Sequence, residues 1–298
     1  MATAGAEPLK VLDLLRDPAV RANPYPAYDR IRAAGRLVPT EFGGHVVANH
    51  AEAFAVLRDA RFSSSQRHQA GYEQMETIAT QLGLGDVFGL LERLMLFADP
   101  PDHTRLRRIV GKAFTPRTVE AMRPSIAATV DRLLDDMTEQ GTADLVESLA
   151  SKLPVTVISE MLGVPPDDHE RLRGLTAIAV KALDPSDDMT VFFPAGEALR
   201  EMRTYFDDLV QKRRAAPADD LLSALIAAED EGDRLTHDEL LDTTILLFGA
   251  GHETTVNLIS GGVLNLLTIP TSCSVFATTR RSSQARSRSC CASGRLCR

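Results

Sequence analysis

The chain has 298 residues, of which 44% are hydrophobic, and a formal net charge of −8, so it can bury one large core. Residues 1–268 contain no basic cluster and no aromatic platform, which argues against a nucleic-acid-binding protein. The amino terminus has no charged leader followed by an apolar run, so we expect a cytoplasmic protein without a secretion signal or membrane anchor.

The first third of the chain predicts short helices and one strand pair. An Asn-Pro-Tyr-Pro segment at 23–26 precedes a short helix, and Gly43 and Gly44 lie between two extended runs, which is a hairpin signal. Helical patterns outnumber strand patterns along the chain, so the predicted class is mainly α with a small β portion. Residues 66–92 hold four glycines and are the least regular part. Their apolar side chains could contact a ligand or pack in the core: Met75, Ile78, Leu82, Leu84, Val87, Phe88 and Leu91.

A basic helix is predicted after residue 98. Asp99 is a candidate N-cap, and Pro100 suits the first turn. His103 and Arg107 are four residues apart and therefore share a face. Two hydrogen-bond donors so spaced can clamp a pair of carboxylates. The alternative is an ordinary solvated face, since residues 105–108 include three arginines.

A long apolar helix is predicted near the carboxyl end of the body. Thr236 and Glu239 form a capping box, and the apolar run up to Pro270 predicts roughly 30 residues of helix, buried nearly all round. Gly249 and Gly251 interrupt it, and each costs about 1 kcal/mol relative to Ala. Two explanations are open, namely close approach of a flat cofactor or close packing of a neighbouring helix.

Glu253 lies between apolar turns of this helix. A carboxylate is costly to bury there without a partner, and such a group marks proton-handling sites. The adjacent Thr254 has a simpler alternative, because a helical Thr hydroxyl often bonds the carbonyl four residues back. A membrane span is disfavoured, because His252, Asn257 and Asn265 would lie at mid-membrane depth.

The composition changes after Thr268. Residues 1–268 carry 27 basic and 41 acidic side chains, a net charge of −14, whereas residues 269–298 carry six arginines and no acid. A disordered basic tail, a metal site and a shifted reading frame are the possible explanations. Read one base out of frame, the region can encode a His-Pro step, an amphipathic helix and a Glu-x-x-Arg helix ending in Ser-Pro-Val. We therefore predict a body at 1–268 and a disordered off-frame tail at 269–298.

All four cysteines of the chain lie in that tail, and we predict no metal ligand among them. They lack the paired Cys-x-x-Cys spacing that a tetrahedral zinc site normally uses. The cysteines are Cys273, Cys290, Cys291 and Cys297.

The Ala-Gly-His-Glu-Thr-Thr order at 250–255 resembles the signature of the long central helix in cytochromes P450, the haem-thiolate monooxygenases, especially their soluble bacterial members. The His and Arg of the basic helix resemble the pair that holds the haem propionates in the same family. The resemblance covers residues from about 10 to 268. It implies an incomplete cytochrome P450 fold that lacks the C-terminal haem-ligand region.

The resemblance also implies roles for particular residues. Glu253 and Thr254 would be catalytic, delivering protons during oxygen activation. Haem would be the cofactor, a small organic molecule the substrate, and a ferredoxin or similar protein the electron donor. The implied cofactor-binding positions are His103, Arg107, Ala250 and Gly251.

Two functional interpretations follow from the resemblance. In the first, the protein is a haem-dependent monooxygenase. In the second, the chain is a truncated, non-catalytic remnant, because none of the tail cysteines lies in the Phe-x-x-Gly-x-x-x-Cys context of the family's axial ligand. The axial role is therefore assigned to no cysteine of this chain.

Overall fold

The computed structural model describes residues 17–40, 44–69, 71–183, 189–230 and 233–268, together with Lys10 and Leu14. The chain divides into two compact units, with the boundary between Ser63 and Ser64. The predicted tail at 269–298 lies outside the described residues.

The first unit contains short helices and one strand pair. Strand β1 (Val38–Pro39) pairs antiparallel with β2 (His45–Val46), as the Gly-Gly signal predicts, while residues 41–43 of the connection lie outside the described residues. The helices of this unit are α1 (Pro18–Ala22), α2 (Tyr25–Ala34) and α3 (His50–Arg58).

The second unit is dominated by helices, so the mainly α prediction is confirmed. A π-helical turn, Val146–Ala150, precedes α9, and a second short antiparallel pair joins β3 and β4. The elements are α4 (Tyr72–Gln81), α5 (Gly85–Arg93), α6 (Asp102–Ala113), α7 (Pro116–Ala121), α8 (Arg123–Gln140), α9 (Lys152–Leu162), α10 (His169–Ala179), α11 (Phe192–Ala215), α12 (Leu221–Ala227), β3 (Glu229–Asp230), β4 (Asp233–Arg234) and α13 (His237–Thr268).

The irregular segment 66–92 contains helices α4 and α5, and its apolar residues divide into two sets. The set on and just before α5 is buried in the core: Leu84, Val87, Phe88 and Leu91. The set on α4 and at its end is exposed: Met75, Ile78 and Leu82. Core packing therefore explains the first set and not the second.

The predicted start of α6 is wrong. The helix begins at Asp102 with Pro101 as its N-cap residue, not at Pro100 with Asp99 as the cap. The Asp99 carboxylate instead accepts a hydrogen bond from the backbone N–H of Ser64 at 2.9 Å. That bond to the preceding loop directs the carboxylate away from the first amides of α6.

Helix α13, which we call the central helix, begins with the predicted capping box. The Thr236 backbone N–H donates to Glu239 Oε2 at 2.8 Å, and the Glu239 N–H donates to Thr236 Oγ1 at 3.2 Å. Two amides at the helix start are thus satisfied by each other's side chains. The helix then runs for 32 residues, which confirms the predicted length.

An almost fully buried carboxylate anchors the first turns of the central helix. Asp242 is 1% exposed. Arg93 of α5 donates to it from Nε at 2.7 Å, and Arg203 of α11 donates to its other oxygen. Burial raises the pKa of Asp242, and the two guanidinium groups oppose that rise. The carboxylate therefore ties α5 and α11 to the central helix.

The core lies against the first half of the central helix. This helix packs on α5, α9, α10, α11, α12 and the π-helical turn. Phe248 meets Phe206 of α11 with the ring centroids 5.8 Å apart, and both rings are fully buried.

The prediction that the central helix is buried nearly all round is wrong for its second half. Beyond His252, Gly261 is the one buried residue among those described. Leu258, Leu264 and Leu267 are exposed, Leu267 to 70%. The apolar sequence extends further than the packing, because the described helices of this unit cover mainly the first half.

The two glycines differ in what surrounds them. A Cβ placed on Gly251 would lie 3.3 Å from Cδ1 of Ile158 on α9, which is tighter than ordinary contact. A Cβ on Gly249 would meet Thr176 Cγ2 of α10 at 3.7 Å, an ordinary van der Waals distance. Close packing of a neighbouring helix therefore accounts for Gly251, whereas Gly249 has room for a methyl group.

Thr236→Ala is expected to lower the free energy of unfolding by about 1 kcal/mol, because the side-chain oxygen that caps the helix is lost. Thr236→Ser keeps that oxygen and is expected to unfold like the wild type. Urea unfolding followed by circular dichroism measures both variants. Equal midpoints for the wild type and Thr236→Ala would contradict the role of the capping box.

Gly249→Ala is expected to raise the free energy of unfolding by about 0.5–1 kcal/mol through helix propensity. Gly251→Ala is expected to give no gain, since Ile158 must move to admit the methyl group. In an Ile158→Val background, which lacks the crowded methyl, adding Gly251→Ala should give that gain relative to Ile158→Val alone. Equal stabilisation by the two alanines would show that packing on α9 does not explain Gly251.

Candidate functional site

One side of the central helix opens to solvent just beyond Phe248. Ala250, Glu253, Thr254 and Asn257 are all exposed, and their spacing of three and four residues places them on one side of the helix. The interpretation of Glu253 as a buried carboxylate is wrong, because packing against this side has ended before the helix reaches it. Within the described residues, the predicted catalytic pair therefore lies on an open helix face.

The Thr254 hydroxyl is engaged by its own helix. Its Oγ1 donates to the carbonyl oxygen of Ala250 at 2.6 Å, and Thr255 makes the equivalent bond to Gly251 at 3.0 Å. The simpler alternative for a helical Thr is thus what the structure contains. A hydroxyl that donates its one hydrogen still has lone pairs with which to accept. Thr254 can therefore receive a hydrogen bond from a ligand without breaking its own.

Ala250 and Gly251 are adjacent in sequence and face different surroundings. Ala250 is exposed with the predicted catalytic pair, while Gly251 is half-buried and turns toward Ile158 of α9. Ala250 is open to a ligand, and its role in lining a haem groove stays a prediction. For Gly251 that role stays a prediction beside its packing role.

The predicted clamp lies on α6. His103 is half-buried and Arg107 is exposed, and within the described residues neither side chain makes a hydrogen bond or an ion pair. Both groups thus keep their donors available on one helix face. Unpaired donors of this kind suit a ligand with two carboxylates, such as the propionates of haem.

Arg105 of the same helix has a structural task. It pairs with Glu239 at the start of the central helix and lies 3.6 Å from a carboxylate oxygen of Asp233. Burial raises the pKa of Glu239, but hydrogen bonds from Arg105 and from the Thr236 amide lower it by more. The pKa of Glu239 therefore lies below its ordinary value. The solvated-face alternative for the basic helix is therefore not correct for Arg105.

The two halves of the candidate site lie on different helices that are joined at one end. Arg105 connects α6 to Glu239, and Thr254 lies 15 residues further along the central helix, about 22 Å at 1.5 Å per residue. No hydrogen bond or ion pair among the described residues links the pair on α6 to Glu253 or Thr254. The Arg105–Glu239 ion pair thus joins the two helices at the start of the central helix, away from Glu253 and Thr254.

Two buried residues with titratable side chains on the central helix were not predicted from the sequence. Asp242, which anchors the helix, follows two leucines inside an apolar run, and that position signals a buried carboxylate in need of partners. His252 is 6% exposed, and the sequence analysis used it only as an argument against a membrane span.

No helix in the described part of the chain is both long enough and apolar enough to cross a membrane. In the same part of the chain, no three His, Cys, Asp or Glu side chains cluster as metal ligands do.

Comparisons with known proteins identify the family. Residues 88–273 match the family profile described as Cytochrome P450. Cytochrome P450 monooxygenase PikC of Streptomyces venezuelae is 43% identical over 256 residues, which cover 84% of this chain and 57% of that protein. Vitamin D(3) 25-hydroxylase of Pseudonocardia autotrophica is 37% identical over 252 residues, which cover 83% of this chain and 59% of that protein.

A solved structure shares the fold. Cytochrome P450 PksS of the bacillaene polyketide synthase, from Bacillus subtilis 168, superposes with a TM-score of 0.76 at 32% identity, covering 88% of this chain and 63% of that chain. The present chain therefore spans less than two thirds of the length of the relatives described here. With a family match over residues 88–273, the chain belongs to the cytochrome P450 family.

Proposed function

We propose that the protein acts as a haem-dependent monooxygenase on a small organic substrate. The observation that carries the proposal is the His103–Arg107 pair, which presents unpaired donors for two carboxylates on a helix tied to the central helix. Haem, the cofactor of this family, supplies the activation of dioxygen when it is bound. Electrons would come from a ferredoxin or a similar donor, and the reaction would take place in the cytoplasm.

The protein's own residues have three tasks in this proposal. His103 and Arg107 would bind and orient the propionates, and Ala250 and Gly251, which carry little or no side chain, would leave room for the cofactor beside the central helix. Glu253, exposed to solvent, would take up protons from water. Thr254 would accept a hydrogen bond from a ligand while its own hydrogen stays bonded to Ala250.

The cofactor site is tested by titrating haemin into the full chain and following its absorbance. His103→Ala and Arg107→Ala are each expected to weaken binding roughly tenfold or more, because each removes a charge-assisted hydrogen bond. Arg108→Ala, on the same helix, is the matched control and should bind like the wild type. Equal affinities in all four proteins, or no saturable binding, would contradict the proposed site and favour the non-catalytic interpretation.

The proton-delivery role is tested in a haem-loaded, catalytically competent form of the protein. Thr254→Ala is expected to raise the fraction of consumed oxygen that is released as hydrogen peroxide, since proton delivery by a placed group contributes about 10²-fold or more. Thr255→Ala removes an equivalent hydroxyl on the packed side and should leave that fraction unchanged. If both variants behave alike, Thr254 has no special role.

The change of composition after Thr268 supports a second proposal. We infer that the codons from Ile269 onward are read out of frame, because net charge changes from −14 to +6 at this point. Sequencing the gene and its transcript across codons 268 and 269 tests this directly. A gene in which no shifted frame after codon 268 encodes the His-Pro step and the Glu-x-x-Arg helix would contradict the inference.

A further inference from the structure

His252 is a buried polar residue whose role is not explained by packing alone. Only 6% of its surface is exposed, and neither ring nitrogen has a hydrogen-bond partner in the part of the chain that the structure describes. Buried polar atoms are nearly always paired. Leaving one unpaired costs about 1–3 kcal/mol, so an apolar side chain of similar shape would stabilise this position better.

The surroundings of His252 keep its ring neutral. Burial lowers the pKa of His252, and Arg173 lowers it further, while the carboxylate of Glu170 and the nearby backbone of Ser151 oppose the decrease. The Ser151 backbone does not meet the geometry of a hydrogen bond with either ring nitrogen, so it is a weak electrostatic contact and not a partner. Arg173 and Glu170 both lie on α10, and Arg173 Nε donates a hydrogen bond to Glu170 Oε2 at 3.0 Å. A proton on His252 would therefore add a positive charge to a nearly dry interface.

The other packed elements add little compensation. Glu147 of the π-helical turn and Lys152 at the start of α9 carry opposite charges, and their electrostatic effects fall on the same Arg173–Glu170 pair. Glu147 and Lys152 together therefore add no net charge to that pair. Nothing among them offers the imidazolium a dedicated partner within the described residues.

The position of His252 determines where its neighbours point. Successive helical residues are about 100° apart. With His252 on the side that packs against α9 and the π-helical turn, Glu253 and Thr254 are turned toward the open side. π-helical turns often occur at functional sites, where they adjust the position of a neighbouring group.

We propose that His252 is a protonation-sensitive positioning residue: its neutral ring holds the middle of the central helix in the packed groove and so orients Glu253 and Thr254, and its protonated ring releases that segment. The inference rests on the proposed function of Glu253 and Thr254. His252 itself is not proposed to touch the substrate or the cofactor.

The direction of the pH effect follows from the lowered pKa. In the packed state the pKa of His252 lies below its ordinary value of 6.5, so the ring stays neutral at pH values where a solvent-exposed histidine is protonated. The released segment exposes the ring to water and therefore binds the proton more readily. Order in this segment is therefore complete above that value and decreases as the pH falls below it. The loss of order therefore occurs at acid pH. A histidine that gains a carboxylate partner on folding behaves in the opposite way, because it loses stabilisation as the pH rises.

Hydrogen exchange followed by mass spectrometry tests the proposal on the full chain without cofactor. After correction for the intrinsic pH dependence, peptides covering 249–256 are expected to exchange roughly tenfold faster at about pH 5 than at about pH 8. Peptides covering 240–247, held by Asp242, should change much less. In His252→Phe, which fills the space and cannot take a proton, the acceleration should disappear.

Two further variants complete the design. His252→Gln keeps a neutral polar group and should also lack the acceleration, which covers the case in which Phe does not fit. His237→Phe, on the same helix but only half-buried, is the matched control and should behave like the wild type. The same acceleration in the His252 variants as in the wild type, or a uniform change along the whole helix, would overturn the proposal. A negative result in this experiment does not bear on the haemin titration, because that titration measures binding by His103 and Arg107.

Discussion

The carboxylate of Asp242 determines how the central helix lies in the protein. An isolated carboxylate that is 1% exposed would cost several kcal/mol, so its position is tolerable only with Arg93 and Arg203 in place. Those partners come from α5 and α11, and they fix the rotation of the helix. Glu253 follows 11 residues later, about three full turns, and therefore lies on the same side of the helix. That side is covered at Asp242 and open at Glu253, so the candidate site begins where the covering helices end.

The local features of the central helix were predictable from the sequence, and its environment was not. The reciprocal pair of Thr236 and Glu239 is a local signal. The predicted start and the predicted length of the helix are both confirmed. Burial is a tertiary property. The run of leucines after residue 256 is as apolar as the run before it, yet Leu258, Leu264 and Leu267 are exposed. Periodicity indicates which face is apolar but not whether another element covers it.

The same limit applies to the candidate site. The spacing of His103 and Arg107 predicted a shared face, and neither side chain has a partner among the described residues. Arg105, which lies between them in the sequence, instead pairs with Glu239 and stabilises the fold. Spacing alone did not distinguish this arginine from Arg107. Asp99 looked like an N-cap from its neighbours and instead bonds Ser64, 35 residues away along the chain. The sequence left two explanations open for Gly251, a flat cofactor or a neighbouring helix. The short distance from its position to Ile158 supports the neighbouring helix.

Within the described structure, the central helix is well enclosed as far as about residue 252 and is more open beyond it. Amide hydrogen exchange by NMR at neutral pH measures this along the whole helix. We predict that amides from 240 to 252 are protected about 100-fold or more beyond those from 257 to 266, because among the described residues Gly261 is the one buried residue of the second half. Equal protection along the entire helix would show that its second half is covered in solution and would contradict the open face at Glu253 and Thr254.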